Sequence, residues 1–327
     1  MNNNSIKFLA TEEDIGKRLD FVLSKKIADI TRSSIKKIIL SNNVRINGSV
    51  ISSPSQKIKK SDSINISFQI DEIKKIEPSK IELDIVFEDK DILIVNKPAG
   101  MVVHPGAGNY YNTLVNALVY RYKNKLSNVS GGLRPGIVHR IDKETSGLLV
   151  VAKNNLSHSI LGKQFSDHSI ERKYLALVWG VIRPLKGRIE NLISRSKKNR
   201  QLMTVSDIQG KIAITNYNTL KVFNIKDIPR ISLIECKLET GRTHQIRVHM
   251  SYKGSSLLGD KQYGKKNIKF KKINEQFSNN LALLNGQALH AKSLGFHHPR
   301  TNQFLNFSSD LPKDFKKLLS FLEKLSA

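Results

Sequence analysis

The sequence predicts an α+β protein in two units, a small one over residues 1–70 and a larger one over residues 83–327. Three observations carry that prediction. A length of 327 residues fits two domains of ordinary size. The charged, proline-bearing stretch Asp71–Lys80 has no apolar period and lies between strand-like runs, which marks a linker over residues 71–82. Beyond it, continuous apolar runs of strand length alternate with helical apolar spacing.

Composition narrows the class. Hydrophobic residues at 39% and charged ones at 25% can bury a core, which excludes a disordered chain. Lys and Arg number 54 against 28 Asp and Glu, a net charge of +26 that points to a polyanionic partner. The excess is shared: residues 1–70 hold twelve basic and six acidic side chains, and the rest of the chain carries a similar surplus per residue. The lone Cys236 allows neither an internal disulfide nor a cysteine-based zinc cluster, and it fits a reducing compartment. The start lacks the apolar core of a signal peptide, and nowhere do 18 apolar residues run together. A cytoplasmic protein with no membrane segment is therefore expected.

In the first unit, Leu19, Val22 and Leu23 recur at helical spacing after Gly16. Thr31-Arg32-Ser33-Ser34 offers hydroxyl caps to a second helix carrying Ile35, Ile38 and Ile39. Val44–Ile46 alternates and ends in the turn pair Asn47-Gly48, and Ile64–Phe68 alternates again, as in a hairpin. Arg18, Arg32, Lys36, Lys37 and Arg45 ride on this frame, either as a solvated face or as an RNA-binding surface.

In the second unit, Leu83–Phe87 and Ile92–Val95 read as strands, and Thr113–Tyr122 as a helix. Gly147–Val151 and Tyr174–Trp179 are apolar throughout, so they are expected as central strands covered on both faces. The densest polar cluster beside an apolar strand, His139–Gly147, runs into the first of these. Charged groups held between a turn and a buried strand suit a rigidly placed catalytic group, although a capped turn has the same composition. A second cluster, Thr240–His249, reads as a turn leading into a strand of period 2. Gln245, Arg247 and His249 then share a polar face, opposite Ile246 and Val248. His244 and His249 fall on opposite faces with no carboxylates beside them, so no metal is expected there.

Two resemblances sharpen this reading. Gly16-Lys17-Arg18-Leu19-Asp20 with Leu23, Thr31-Arg32-Ser33, Val44–Gly48, Pro54 and Ser61-Asp62 resemble the S4 RNA-binding domain over about residues 14–68. Asn42-Asn43 stands where that family usually has a glycine, and asparagine tolerates the left-handed backbone needed there. In the second unit, His139-Arg140-Ile141-Asp142-Lys143-Glu144-Thr145-Ser146-Gly147 resembles the catalytic motif of the RluA-type pseudouridine synthases. Gly241–His249 resembles their downstream motif. Asn96–Gly100, Val102–Gly108, Glu171–Tyr174, Leu258–Asp260 with Tyr263-Gly264, and Leu289–Ala291 match in family order. With an S4 unit in front, the similarity is greatest to the RluD branch, which modifies large-subunit ribosomal RNA. Ile141 replaces the usual Leu, a change that conserves volume. Ser255-Ser256 replaces the usual His-Pro, and loss of that proline is expected to loosen a loop near the cleft.

The resemblance implies a mixed, largely antiparallel sheet with flanking helices. It also implies a reaction in which a uridine's glycosidic bond is cut and C5 is joined to C1′, with no cofactor and no metal. Asp142 maps onto the catalytic aspartate, acting as nucleophile or base at the ribose. Arg247 maps onto the arginine that favours its ionised form, and Tyr174 onto the tyrosine packed on the uracil. Arg140 maps onto the arginine that enters the RNA where the uridine has swung out. Arg242 and His244 are expected at the RNA, as are Arg18, Arg32, Lys36, Lys37 and Arg45 of the S4-like unit. The implied partner of a monomeric enzyme is large-subunit RNA or its assembling particle, at uridines of one hairpin loop. A glycosidase would need two carboxylates, with Asp142 and Glu144 the nearest pair, but the motif positions one carboxylate beside an arginine. An inactive assembly factor is disfavoured because Arg140, Asp142, Tyr174 and Arg247 are all present. A DNA binder finds no supporting zinc finger, basic zipper or phosphate loop.

Overall fold

The computed structural model describes residues 3–27, 32–69, 76–106, 109–123, 125–130, 134–264 and 275–326. The chain divides into two compact units, Met1–Lys75 and Ile76–Ala327. Residues 71–75 of the expected linker lie outside the described residues. Ile76 is buried in the core of the second unit, where Glu77 O and Ser79 N are both hydrogen-bonded to Asn116.

The first unit holds strand β1 (Asn3–Leu9), helices α1 (Leu19–Lys26) and α2 (Arg32–Leu40), and strands β2 (Val44–Ile46), β3 (Ser49–Val50) and β4 (Ser63–Gln69). The sheet order is β1-β4-β2-β3, antiparallel throughout. Leu19 and Leu23 of α1 and Ile35 and Ile39 of α2 close on Ile64 and Ile66 of β4, all fully buried. Both turn residues between β2 and β3 have positive φ, Asn47 at 50° and Gly48 at 83°, which matches the twist of a tight hairpin. Asn42 adopts the left-handed conformation expected of it, at φ 62°. The cap expected at Thr31 lies outside the described residues. Strand β1 is an element the sequence analysis did not foresee.

The second unit is built on a ten-stranded sheet. Its strands are β5 (Ile85–Glu88), β6 (Ile92–Lys97), β7 (Ser146–Ala152), β8 (Glu171–Trp179), β9 (Lys186–Arg195), β10 (Met203–Ser206), β11 (Lys211–Phe223), β12 (Ile231–Leu238), β13 (Leu289–His297) and β14 (Phe304–Ser308). The order is β10-β9-β11-β12-β8-β13-β7-β6-β5, with β14 on β13. The described pairings are antiparallel except β13 with β7. Helices α3 (Leu114–Tyr122), α4 (Asn155–Ser166), α5 (Gln245–Tyr252), α6 (Glu275–Ala282) and α7 (Lys313–Ser326) flank it.

Strand β7 is buried at all seven positions because each face meets a different core. Leu149 and Val151 pack with Leu114 and Leu118 of α3, while Leu148 and Val150 pack with Leu161 of α4 and Phe296 of β13. Likewise Tyr174, Ala176 and Val178 of β8 join the first core, and Leu177 and Trp179 join Phe315 and Leu318 of α7. Thr113 caps α3 through a reciprocal box, its Oγ1 accepting from Asn116 N while Asn116 Oδ1 accepts from Thr113 N.

One element differs from the sequence expectation. Residues 245–252 form helix α5, not a strand of period 2. Every residue from Gln245 to Met250 is buried, so the helix has no polar stripe by which its 3.6 period could show. The predicted shared face dissolves: Gln245 Nε2 and His249 Nδ1 both bond Thr215 Oγ1 at 2.9 Å, whereas Arg247 points away toward Asp142.

Candidate active site

The segment before β7 is pinned at several points. Gly136 has φ +73°, and a Cβ there would stand 2.6 Å from Val151 Cγ1 and 2.9 Å from Ala152 O. His139 accepts the Val150 N–H at Nε2 (3.1 Å) and stacks on Phe165 at 4.5 Å. That bond needs a neutral ring, and burial pulls its pKa down to about 3, with Arg172 adding to the effect. Thr145 N donates to Asp142 O at 3.1 Å, closing a turn around the carboxylate's own residue.

A buried cation braces the far side of this turn. Lys97 ends β6 with a fully buried side chain, and Nζ donates to the carbonyls of Pro98 (2.7 Å), Met101 (2.9 Å) and Lys143 (3.0 Å). Burial pulls its pKa down to about 7, opposed by the negative charge of Asp142. The three acceptors match the three N–H bonds of an ammonium group. Gly100 N bonds the same Lys143 carbonyl at 2.9 Å, so the residue after Asp142 is held twice.

Helix α5 supplies the partner. His244, at φ +56°, turns the chain into the helix and places Arg247 one turn in, 4% exposed. Arg247 Nη1 donates to Asp142 Oδ2 at 3.1 Å. Its Nε and Nη2 donate to the two oxygens of Asp260 at 2.7 and 2.9 Å, and Nη2 also reaches Gln262 Oε1 at 2.8 Å. Burial works against the charge of Arg247, and the Asp260 carboxylate outweighs it, so its pKa is raised. Asp260 in turn accepts the N–H groups of Gln262 and Tyr263. That turn requires glycines: a Cβ at Gly259 would stand 2.2 Å from Gly286 O, and one at Gly264 2.2 Å from Asp260 O.

The other oxygen of Asp142 faces His244, whose Nε2 lies 3.9 Å from Oδ1. His244 Nδ1 shares a 2.8 Å hydrogen bond with Tyr263 Oη, which also accepts from Met203 N. Burial lowers the pKa of His244. Tyr174, on β8, is 7% exposed. Burial raises its pKa, Arg172 opposes that rise and Asp142 adds to it. Arg140 is exposed, with Nη1 3.4 Å from Nε2 of His104. Burial and the cations Arg134 and Arg140 bring His104 down to about 4.

Asp142, Arg247, His244, Tyr174 and Arg140 line one cleft of about 270 Å³, with Lys97 and Asp260 behind its wall. Of the residues singled out in sequence, Arg140, Asp142, Tyr174, Arg242, His244 and Arg247 share it. Within the first unit, Arg18 and Arg32 each lie 3.0 Å, and Lys36 3.8 Å, from the fully buried Asp20 carboxylate. Arg45 bonds Gly48 O and Lys37 is exposed. Asp260, Lys97, Tyr263 and Arg172 were given no role in the sequence analysis, although all lie within matched strings. Only their buried polar contacts single them out. The loop expected to loosen at Ser255-Ser256 is held without proline: Ser255 N bonds Met250 O, and Ser256 O accepts from Trp179 N. Among the described residues, Asp89, Asp91 and His298 have ligand-type atoms within 4.8 Å of one another. Arg300 already takes both oxygens of Asp91, at 2.6 and 2.7 Å.

Comparison with known proteins identifies the family. Residues 91–252 match the family model for RNA pseudouridylate synthase, and residues 17–64 match the S4 domain. The chain is 49% identical to the ribosomal large subunit pseudouridine synthase D of Zymomonas mobilis, over 95% of this chain and 96% of that protein. It is 42% identical to YlyB of Bacillus subtilis, described as an uncharacterized RNA pseudouridine synthase, over 98% and 99% of the two chains. The solved structure of human RNA pseudouridylate synthase domain containing 1 shares the fold, with a TM-score of 0.54 at 24% identity over 75% of this chain and 96% of that one. Cleft, motifs and relatives converge: the chain belongs to the RNA pseudouridine synthase family, in the form that carries an S4 domain.

Proposed function

We propose that this protein isomerises uridines of large-subunit (23S) ribosomal RNA to pseudouridine, within a single hairpin loop and through Asp142. The relatives named as large-subunit enzymes, at 49% identity over nearly the whole chain, support the substrate class. The observation that carries the mechanism is the one-sided hold on Asp142. Arg247 engages Oδ2, and among the described residues Oδ1 accepts no hydrogen bond, with His244 Nε2 3.9 Å away.

An oxygen of Asp142 acts at C1′ of the ribose as the N1–C1′ bond breaks, and the electron pair leaves with the uracil. Arg247 stabilises the carboxylate whenever it is ionised, before the attack and after its release. The freed uracil turns against Tyr174, C5 bonds to C1′, and Asp142 is released. The C5 proton departs, with the Tyr174 hydroxyl as relay, and N1 ends protonated. Atoms and charge balance within the substrate, so the reaction uses no cofactor. Arg140, exposed at the cleft, fills the stack that the flipped uridine leaves. Flipping costs least where pairing is absent, which favours a loop. The S4-type unit gives the enzyme, a cytoplasmic monomer, a second hold on the RNA or its assembling particle.

The test is to incubate the purified protein separately with large-subunit RNA, subunit precursors and bulk transfer RNA, then map pseudouridine at nucleotide resolution. Modification confined to one large-subunit hairpin is the expected result. Efficient modification of transfer RNA with none in large-subunit hairpins overturns the substrate.

A further inference from the structure

Among the described residues, Arg172 is a buried cation with no carboxylate in ion-pair range. It leaves β8 on the same face as Tyr174, two residues away and so about 7 Å along the strand. The residue is 7% exposed. Nη2 donates to Glu239 O at 3.2 Å, Nε is buried with no acceptor, and Nη1 has no hydrogen bond among the described residues. The guanidinium lies over Phe165 at 5.5 Å, and a Cβ on Gly241 would stand 2.7 Å from Nη1. The bare backbone of Gly241 is what admits it.

Arg242 lines the same cleft and spends Nε on Ile212 O at 2.8 Å. Its charge works against that of Arg172. Neither forms an ion pair among the described residues. Among the described residues, Asp142 is the one carboxylate on the cleft wall, and Arg247 already engages it.

Arginine stays charged when buried, and a buried charge is ordinarily paired. Two guanidiniums in one cleft, mutually repelling and with unspent donors, leave a counter-charge to be supplied from outside. A neutral base cannot supply it, whereas a phosphate can, with oxygens that suit the planar fork of an arginine. We propose that Arg172 and Arg242 form an anion subsite that takes a phosphodiester of the RNA strand beside the nucleotide bound at Asp142. The inference rests on the reading of Asp142 and Tyr174 as the place of uridine isomerisation. A phosphate held one pleat from Tyr174 fixes the backbone of the flipped nucleotide and so turns C1′ toward Asp142.

The test uses the hairpin RNA in which the modified uridine maps, made with one methylphosphonate at a time on its 5′ and 3′ sides. Each RNA is titrated over a range of salt against the wild type, Arg172→Met and Arg242→Met. One linkage is expected at which the wild type loses about tenfold in affinity and Arg172→Met loses no further. The salt slope of Arg172→Met is expected to fall by about 0.7, the value for one phosphate contact on a single strand. Additive losses at every linkage, or an Arg172→Met protein with wild-type affinity and slope, overturn the subsite. If Arg172→Met does not fold, Arg242→Met and the wild-type scan decide by the same criterion, and a wild type insensitive at every linkage overturns it. Asp142→Asn is assayed alongside. Turnover by that variant sinks the reading of Asp142, whereas an inactive Asp142→Asn with additive phosphonate losses sinks the subsite alone.

Discussion

Arg247 gives Asp142 a single hydrogen bond, Nη1 to Oδ2 at 3.1 Å, and commits Nε and Nη2 to Asp260. A fork-to-fork pair would cover both oxygens of Asp142. The division leaves one oxygen for chemistry and keeps the guanidinium from swinging, because Asp260 is itself fixed by the backbone N–H groups of Gln262 and Tyr263.

Arg247→Lys keeps the charge and loses the fork, so Asp260 and Asp142 cannot both be satisfied in the same geometry. We expect single-turnover rates to fall by roughly 10²-fold or more while RNA affinity stays within about threefold. Rates within threefold of wild type would show that the shared fork is unimportant.

Asp142→Asn preserves shape and removes the nucleophile or base. Turnover should disappear, with RNA affinity changed by no more than a few-fold, as read by pseudouridine mapping beside a binding titration. Turnover within tenfold of wild type would remove Asp142 from the chemistry.

Lys97→Met fills the same space and leaves the carbonyls of Pro98, Met101 and Lys143 without their buried donor. A loss of about 1–3 kcal/mol in unfolding free energy is expected, the penalty for buried carbonyls left without a hydrogen-bond donor. Denaturant titration measures it, and an unchanged midpoint would contradict the bracing role.

Asp20 is the electrostatic centre of the first unit. Its pKa is lowered to about 2, chiefly by the hydrogen bond from Arg18, with Arg32 adding to it. A carboxylate depressed in the folded state contributes its stability fully above the unfolded value near ~3.9 and loses it as pH falls to about 2. Asp20→Asn should therefore cost about 2 kcal/mol at pH 7. The gap between variant and wild type should close between about pH 4 and pH 2. A gap independent of pH over that window would assign the loss to packing instead.

Removing residues 1–75, one of the two compact units, should weaken RNA binding and flatten its salt dependence, yet spare turnover at saturating RNA. An unchanged affinity and slope would show that the first unit plays no part in holding the substrate.

Sequence alone determined the elements with strong periodicity and the strings that carry chemistry. The apolar runs of β7 and β8 announced strands buried on two faces, since only packing on both sides selects apolar residues at every position. Asp142, Tyr174 and Arg247 were named because local strings hold them, and they do share a cleft. Strand β1 escaped because Asn3–Leu9 gains its identity from pairing with β4, more than fifty residues on. Helix α5 was misread because a short helix buried on all sides carries no period, and Ile246 and Val248 imitate the alternation of a strand. Tertiary structure alone decided who holds whom. Asp260 on Arg247, Lys97 on the Lys143 carbonyl and Arg172 beside Arg242 are contacts or juxtapositions made across the fold. Nothing in the local pattern encodes them, because the compensation of a buried charge depends on which groups the fold brings within a few ångströms of it.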